Sequence, residues 1–180
     1  MTAGPKAGGS DPAAHPFRIE ALSSHDRSAF CRGNDRIDSY FRETVTQDVK
    51  RGYAKCFVAV EIETGKLAGF YTLTSNSIPL TEIPDDLKKK LPRYPTVPVV
   101  LIGWLGRHVD FKGRGLGDVL LFDAIKTIAT AAVASHAIIV DAIDDAAVEF
   151  YRGYGFVNLA AAHANRLYLP VASALKAIAD

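Results

Sequence analysis

The sequence lacks most of the features that mark secreted, membrane and metal-binding proteins. Of its 180 residues only two are cysteine, Cys31 and Cys56, and neither forms a CxxC pair, which argues against a disulfide framework and a structural zinc site. Its five histidines are scattered without metal-ligand spacing, so we expect no metal. No apolar run approaches the ~18 residues of a membrane span. We therefore expect a cytoplasmic protein that makes no membrane contact.

The sequence also has little excess charge of either sign. Its formal net charge is +1, so any contact with a nucleic acid must come from a local basic patch. Such a patch can bind phosphates, but for any single residue a solvated helix face is the simpler interpretation. The two candidate stretches are Lys88, Lys89, Lys90 and Arg93, and Arg42, Lys50 and Arg51.

The first residues, MTAGPKAGGSDPAAH, contain small residues and proline but no apolar core of a signal peptide. We predict a disordered N-terminal tail at 1–15. The remaining residues, 16–180, are predicted to form one domain, because a chain with 48% hydrophobic residues and this length can bury a sizeable core.

Hydrophobic periodicity predicts a mixed α/β fold, with antiparallel strands first and a βαβα pattern later. A helix at about 35–50 is expected from apolar residues spaced three and four apart, with Asn34 as its N-cap. The other predicted elements are a strand at 17–22, a hairpin around 63–66, a short helix at 84–91, a strand at 99–109, a helix at 116–133, a strand at 136–143, a helix capped by Asp144 or Asp145 and ending near Gly153, strands at 155–159 and 166–170, and a C-terminal helix.

The stretch DFKGRGLGDVLL places three glycines and two basic residues between a predicted strand and a predicted helix. A helix N-terminus leaves backbone N–H groups unpaired and carries a partial positive charge, and glycines allow a ligand to approach that backbone closely. The stretch therefore suits a phosphate or pyrophosphate. A tight strand-to-helix turn with solvated charges is the alternative. Neither common nucleotide motif fits, because Asp118 stands at the third glycine of a dinucleotide fingerprint and a P-loop is absent.

Two segments resemble the signatures of the Gcn5-related N-acetyltransferases. KGRGLG, at 112–117, resembles their (Q/R)xxGx(G/A) pyrophosphate loop, with Lys112 where Gln or Arg is usual. DDAAVEFYRGYGF, at 144–156, resembles their second signature, and the two segments stand in the family's order and at about its spacing.

From Pro16 onward, the chain resembles more narrowly the acetyltransferase toxins of bacterial type II toxin–antitoxin pairs. The segment PRYPTVPVVLIGWL, at 92–105, carries most of this resemblance, because general acetyltransferases lack it. Two positions depart from the toxins' usual pattern: Trp104 replaces a usual arginine, and Arg107 replaces a small apolar residue.

The resemblance implies a fold, a cosubstrate and a set of binding residues. The fold would be a central, mostly antiparallel sheet with splayed central strands, flanked by helices. Acetyl-CoA would lie between the splayed strands, with its pantetheine arm paired to backbone and its pyrophosphate in the glycine loop. The implied cofactor-binding residues are Leu105, Gly106, Arg107, Lys112, Gly113, Arg114, Gly115, Leu116 and Gly117.

By the same resemblance, Tyr151 is the general acid that protonates the leaving thiolate. A phenol with a pKa of about 10 can pass its proton to a thiolate whose conjugate acid has a pKa of about 8.5. The alternative is a packing aromatic on a helix, which is the role we assign to Tyr154. His108 is placed near the cofactor strand, with strand packing as its expected role.

For function, the resemblance implies a toxin that acetylates the α-amino group of aminoacyl-tRNA and blocks translation. Its partners would be a ribbon-helix-helix antitoxin and a second copy of the chain. A second hypothesis is an N-acetyltransferase for a protein N-terminus or a small amine. A third is a non-catalytic CoA-binding module that binds a partner protein and DNA.

Overall fold

The computed structural model describes residues 15–159 and 165–179, and its strands form one sheet in the order β1-β2-β3-β4-β5-β7-β6. Neighbouring strands pair antiparallel except β4 and β5, which pair parallel. The predicted mixed α/β fold is therefore confirmed. The strands are β1 (Phe17–Ala21), β2 (Lys55–Glu61), β3 (Leu67–Pro79), β4 (Thr96–Arg107), β5 (Ala137–Asp141), β6 (Val157–Asn158) and β7 (Arg166–Pro170).

Helices cover both faces of the sheet. None of those in the described ranges is both long and apolar enough to cross a membrane. The predicted tail lies outside the described residues except for His15, so the division into tail and domain stays a prediction. The helices are α1 (Asp35–Ser39), α2 (Val45–Lys50), α3 (Asp85–Lys88), α4 (Leu116–Ala129), α5 (Asp145–Arg152) and α6 (Val171–Ala179).

The helix predicted at 35–50 is present but contains an irregular turn. Asn34 caps it by accepting a hydrogen bond from the N–H of Ile37 at 3.2 Å, and π-helix at Tyr40–Thr44 joins α1 to α2. Ile37, Phe41 and Val45 are four residues apart and buried. A regular helix has 3.6 residues per turn, so the wider π-turn keeps these side chains on one face.

The helix after the glycine loop is shorter than predicted. It ends at Ala129 rather than at Val133. Val133 is 77% exposed, so the apolar residues after Ala129 have no core surface to cover. Without that packing, the pattern alone does not extend the helix.

The parallel strands β4 and β5 separate before β4 ends. They pair from Val99 with Ala137 to Ile102 with Val140. Beyond that point β5 ends at Asp141, whereas β4 continues to Arg107. The last residues of β4 therefore have a ladder partner on the β3 side alone, and the splayed central strands are confirmed.

A β-bulge marks the position where the strands part. Tyr71 of β3 pairs with Leu105 of β4 and Leu73 pairs with Ile102, so β4 has one residue more than β3 at this point. Thr72, which is buried on β3, accepts the N–H of Trp104 through its hydroxyl oxygen at 3.1 Å. Bulges bend a strand and strengthen its twist, which turns the end of β4 away from β5.

A close backbone approach between β3 and β4 requires glycine at position 69. A Cβ on Gly69 would lie 2.9 Å from the carbonyl oxygen of Gly106 and 2.9 Å from a methyl carbon of Leu120. The first contact is with backbone, so it cannot be relieved by a side-chain rotation. This site keeps α4 close to the sheet beneath the bulged strand.

We expect Gly69→Ala to lower the free energy of unfolding by about 1–3 kcal/mol, because overpacking forces the sheet and α4 apart. Urea unfolding followed by circular dichroism measures this change. Gly117→Ala is the matched control, since the nearest atoms to its Cβ are ring carbons of Phe150 at 3.6 Å, an ordinary contact. Equal midpoints for the two variants would contradict the prediction.

Candidate active site

The open edge of β4 presents backbone groups to the space between the parted strands. Just past the end of β4, the N–H of His108 donates to the carbonyl of Ala68 in β3 at 2.7 Å. The backbone groups of His108 therefore face β3. Because this direction alternates along an antiparallel pair, Gly106 faces β3, whereas Leu105 and Arg107 face away from it. These two residues offer N–H and C=O groups to an extended ligand.

Gly106 contributes space rather than a backbone contact. Its Cβ would lie 3.1 Å from both a methyl carbon of Ile37 and a ring carbon of Phe70. The missing side chain lets α1 pack directly on β4. Of the three predicted pantetheine residues, Leu105 and Arg107 thus have backbone suited to binding, and Gly106 has a packing role.

The glycine loop leads from the end of β4 into an uncapped helix. Gly113 and Gly115 have φ of 77° and 69°, a conformation that glycine adopts without strain. Gly115 is the N-cap of α4 and has no side-chain cap, and the N–H of Val119 donates to its carbonyl at 3.2 Å. The N–H groups of the preceding turn, at 116–118, are therefore available to an anion.

The two basic side chains of the loop differ in role. Arg114 donates to Glu61 of β2 at 2.8 Å, and its guanidinium carbon lies 5.3 Å from the ring centre of Phe17 and 5.1 Å from that of Phe111. Its side chain therefore anchors the loop to the sheet. Lys112 is exposed and forms no ion pair within the described ranges, so it can reach a phosphate.

Glu61 is held as a carboxylate in this anchor. The hydroxyl of Thr64 donates to it at 2.7 Å, and that hydrogen bond together with Arg114 lowers the pKa of its carboxyl. Both contacts favour the charged form, so the ion pair with Arg114 is intact at neutral pH.

Tyr151 lies on α5 and is buried. The carboxylate of Asp144 caps this helix by accepting the N–H of Ala147 at 2.8 Å, as predicted. Tyr151 is 7% exposed and belongs to the same apolar cluster as Ile102, against which Leu105 is packed. Burial raises the pKa of its hydroxyl, so this group stays protonated across the physiological range.

Tyr154 connects the end of α5 to the start of α4, a link that sequence analysis missed. Its hydroxyl donates to the carboxylate of Asp118, and its ring meets the edges of Phe122 and Phe150 at 5.6 and 5.4 Å. Packing, the role we predicted, is therefore one part of its contribution. No local sequence signal could have found this pair, because its two residues are 36 positions apart.

Trp104, in the bulge of β4, packs on the face of the sheet that α1 covers. Its indole stacks on Tyr40 at 4.3 Å with an angle of 11°, and the guanidinium carbon of Arg36 lies 5.5 Å from its ring centre. This departure from the toxins' usual pattern thus packs against α1 and the π-turn. His108 is buried, and its ring meets Phe30 and Phe111, which agrees with the packing role.

Comparisons with known proteins identify relatives along most of the chain, although no family model matches it. A probable toxin TacT of Sinorhizobium fredii is 28% identical over 166 residues, which is 86% of this chain and 91% of that protein. A tRNA-acetylating toxin of Mycobacterium tuberculosis is 34% identical over 143 residues, 78% of this chain and 82% of that protein.

Solved structures share the fold. A crystal structure of a mutant of KacT has a TM-score of 0.82 and 24% identity, covering 90% of this chain and 99% of that one. AtaT complexed with acetyl-methionyl-tRNAfMet has a TM-score of 0.81 and 23% identity, covering 91% and 99%. The mostly antiparallel sheet with splayed central strands and flanking helices is the fold of the Gcn5-related acetyltransferases. More narrowly, the chain belongs to the family of tRNA-acetylating toxins, because it is 34% identical in sequence to the mycobacterial member.

We expect Arg114→Ala to lower the free energy of unfolding by about 1–2 kcal/mol, because it removes the contact with Glu61 and two cation–π contacts. Lys112→Ala should stay within about 0.5 kcal/mol of the unaltered protein, since it loses no described partner. Urea unfolding of both variants separates the two roles. A larger loss for Lys112→Ala would show that the loop is anchored differently.

Proposed function

We propose that the protein transfers the acetyl group of acetyl-CoA to the α-amino group of an aminoacyl-tRNA and so blocks translation. The observation that carries this proposal is the parting of β4 and β5, with the uncapped start of α4 at the end of the opened strand. Family membership adds the substrate class, since the mycobacterial relative is a tRNA-acetylating toxin and AtaT is seen with acetyl-methionyl-tRNAfMet.

The chain has groups that match the chemistry of acetyl-CoA along its length. The free N–H groups at 116–118 and the ammonium of Lys112 suit the pyrophosphate. The outward backbone of Leu105 and Arg107 suits the amides of the pantetheine arm. Structures of the related AtaT contain acetyl-CoA, which supports the same cosubstrate here.

The reaction needs an amine nucleophile and a proton for the leaving sulfur. In the proposed step the amine nitrogen bonds to the thioester carbon, the carbon–sulfur bond breaks, and the nitrogen releases a proton to water. Tyr151 donates its hydroxyl proton to the thiolate as charge develops on sulfur, and it then recovers a proton from water. Burial raises the pKa of this hydroxyl and disfavours an unprotonated thiolate at the same place, so the transfer stays feasible.

Partners follow from the same family. AtaT is seen bound to the C-terminus of its antitoxin AtaR, and KacTA is seen with DNA. We propose a ribbon-helix-helix antitoxin as the neutralising partner of this chain, in a bacterial cytoplasm. The homodimer stays a prediction.

Tyr151→Phe tests the acid directly. We expect kcat for transfer of labelled acetyl groups to charged tRNA to fall about 10²–10³-fold, with KM for acetyl-CoA little changed, because one proton donor is lost and the ring is kept. Tyr168→Phe is the matched control, since it removes a buried tyrosine hydroxyl that has no hydrogen-bond partner among the described residues. Label on free amines but not on charged tRNA would assign the enzyme to another amine substrate.

The pH dependence of kcat/KM should follow the ionisation of the substrate amine and not that of Tyr151. Since an α-amine has a pKa of about 8, kcat/KM for charged tRNA should rise with pH up to about 8. It should then stay level to about pH 10, because the raised pKa of Tyr151 keeps its hydroxyl protonated there. A fall between pH 8 and 10 that disappears in Tyr151→Phe would contradict the assigned protonation state.

A further inference from the structure

A basic groove lies where β2 begins alongside β3, outside the site described above. It has a volume of about 360 Å³ and is lined in part by Arg51, Tyr53, Lys55, Thr74 and Ser75. We propose that this groove binds an unpaired nucleotide at the 3′ end of the tRNA substrate, with the base stacked on Tyr53. The inference rests on the proposed function and adds a specific contact to it.

Tyr53 combines an exposed side chain with a backbone that is fixed by hydrogen bonds. The residue is 72% exposed, yet its backbone is held on both sides. Its N–H donates to the carbonyl of Asp48 at 2.9 Å, and its carbonyl accepts the hydroxyl of Thr74 at 3.0 Å. Gly52 makes the preceding turn with φ of 75°. An exposed ring on a fixed backbone can stack on a base with little loss of conformational freedom.

The charge of the groove suits a phosphate backbone. Arg51 and Lys55 are exposed on either side of Tyr53, and neither takes part in an ion pair within the described ranges. Asp48, the carboxylate of this segment, accepts the hydroxyl of Tyr40 at 3.0 Å and so has a partner of its own. Two cations flanking an aromatic ring are the combination that binds single-stranded nucleic acid.

The groove is also at a suitable place along the sheet. Lys55 pairs with Leu73 of β3, and Leu73 pairs with Ile102 of β4. Ile102 is the last residue of β4 that pairs with β5 before the cleft opens. Two strand spacings of about 4.8 Å each therefore separate the groove from the mouth of the cleft. When the aminoacyl group of the tRNA is bound at the cleft, the unpaired nucleotides attached to it can reach the groove.

The test combines kinetics and fluorescence. Tyr53→Ala should raise KM for charged tRNA about tenfold, the scale of one lost base–aromatic stack, with kcat and KM for acetyl-CoA unchanged. Tyr53→Phe should behave like the unaltered protein, because it keeps the ring. Tyr94→Ala is the matched control: Tyr94 is 71% exposed and follows an arginine, but does not line the groove. Lys55→Ala should lower the salt slope of tRNA binding by about one.

Binding of uncharged tRNA labelled with 2-aminopurine in its unpaired 3′ end tests the groove without catalysis. We expect quenching with the unaltered protein and with Tyr53→Phe, and little quenching with Tyr53→Ala. Quenching that depends on Tyr53 in a protein that acetylates no charged tRNA would support the groove and overturn the proposed function. Acetylation of charged tRNA with the same KM and quenching in Tyr53→Ala would overturn the groove and leave the proposed function standing.

Discussion

The separation of β4 from β5 after Ile102 is the constraint on which the other features of the site depend. One extra residue in β4, held by the hydroxyl of Thr72, bends the strand and frees its outer edge. At the bulge a buried threonine hydroxyl, rather than a backbone carbonyl, thus accepts the N–H of Trp104. Glycine at 69 and at 106 then keeps the helices on both faces close enough to wall the opening.

The start of α4 is held from two sides by contacts that leave its N–H groups free. Arg114 fastens the loop to β2 through Glu61, and Tyr154 fastens the first turn to α5 through Asp118. The charged side chains of Arg114 and Asp118 thus hold the loop and the first turn of α4 in position. The positive end of the helix and the other cation of the loop, Lys112, remain available to an anion.

Local features of the structure could be predicted from the sequence, and distant contacts could not. The glycine loop, the cap at Asp144 and the helix of Tyr151 depend on short motifs, so their patterns are visible in the chain. The partner of Arg114 lies 53 residues away and the partner of Tyr154 lies 36 away, and no local pattern encodes such pairings. The π-turn could not be predicted, because apolar residues three and four apart are also the pattern of a regular helix.

The open edge of β4 has a consequence for the protein when no ligand lies along that edge. An unpaired strand edge is a template on which other extended chains can add, and proteins usually shorten, charge or cover such edges. Here the edge is five residues long, from Gly103 to Arg107, and ends in a cation. A pantetheine arm bound along it, as proposed above, would act as a missing strand. Occupancy of the site would then complete the sheet where β5 leaves β4, with the ligand in the place of a paired strand.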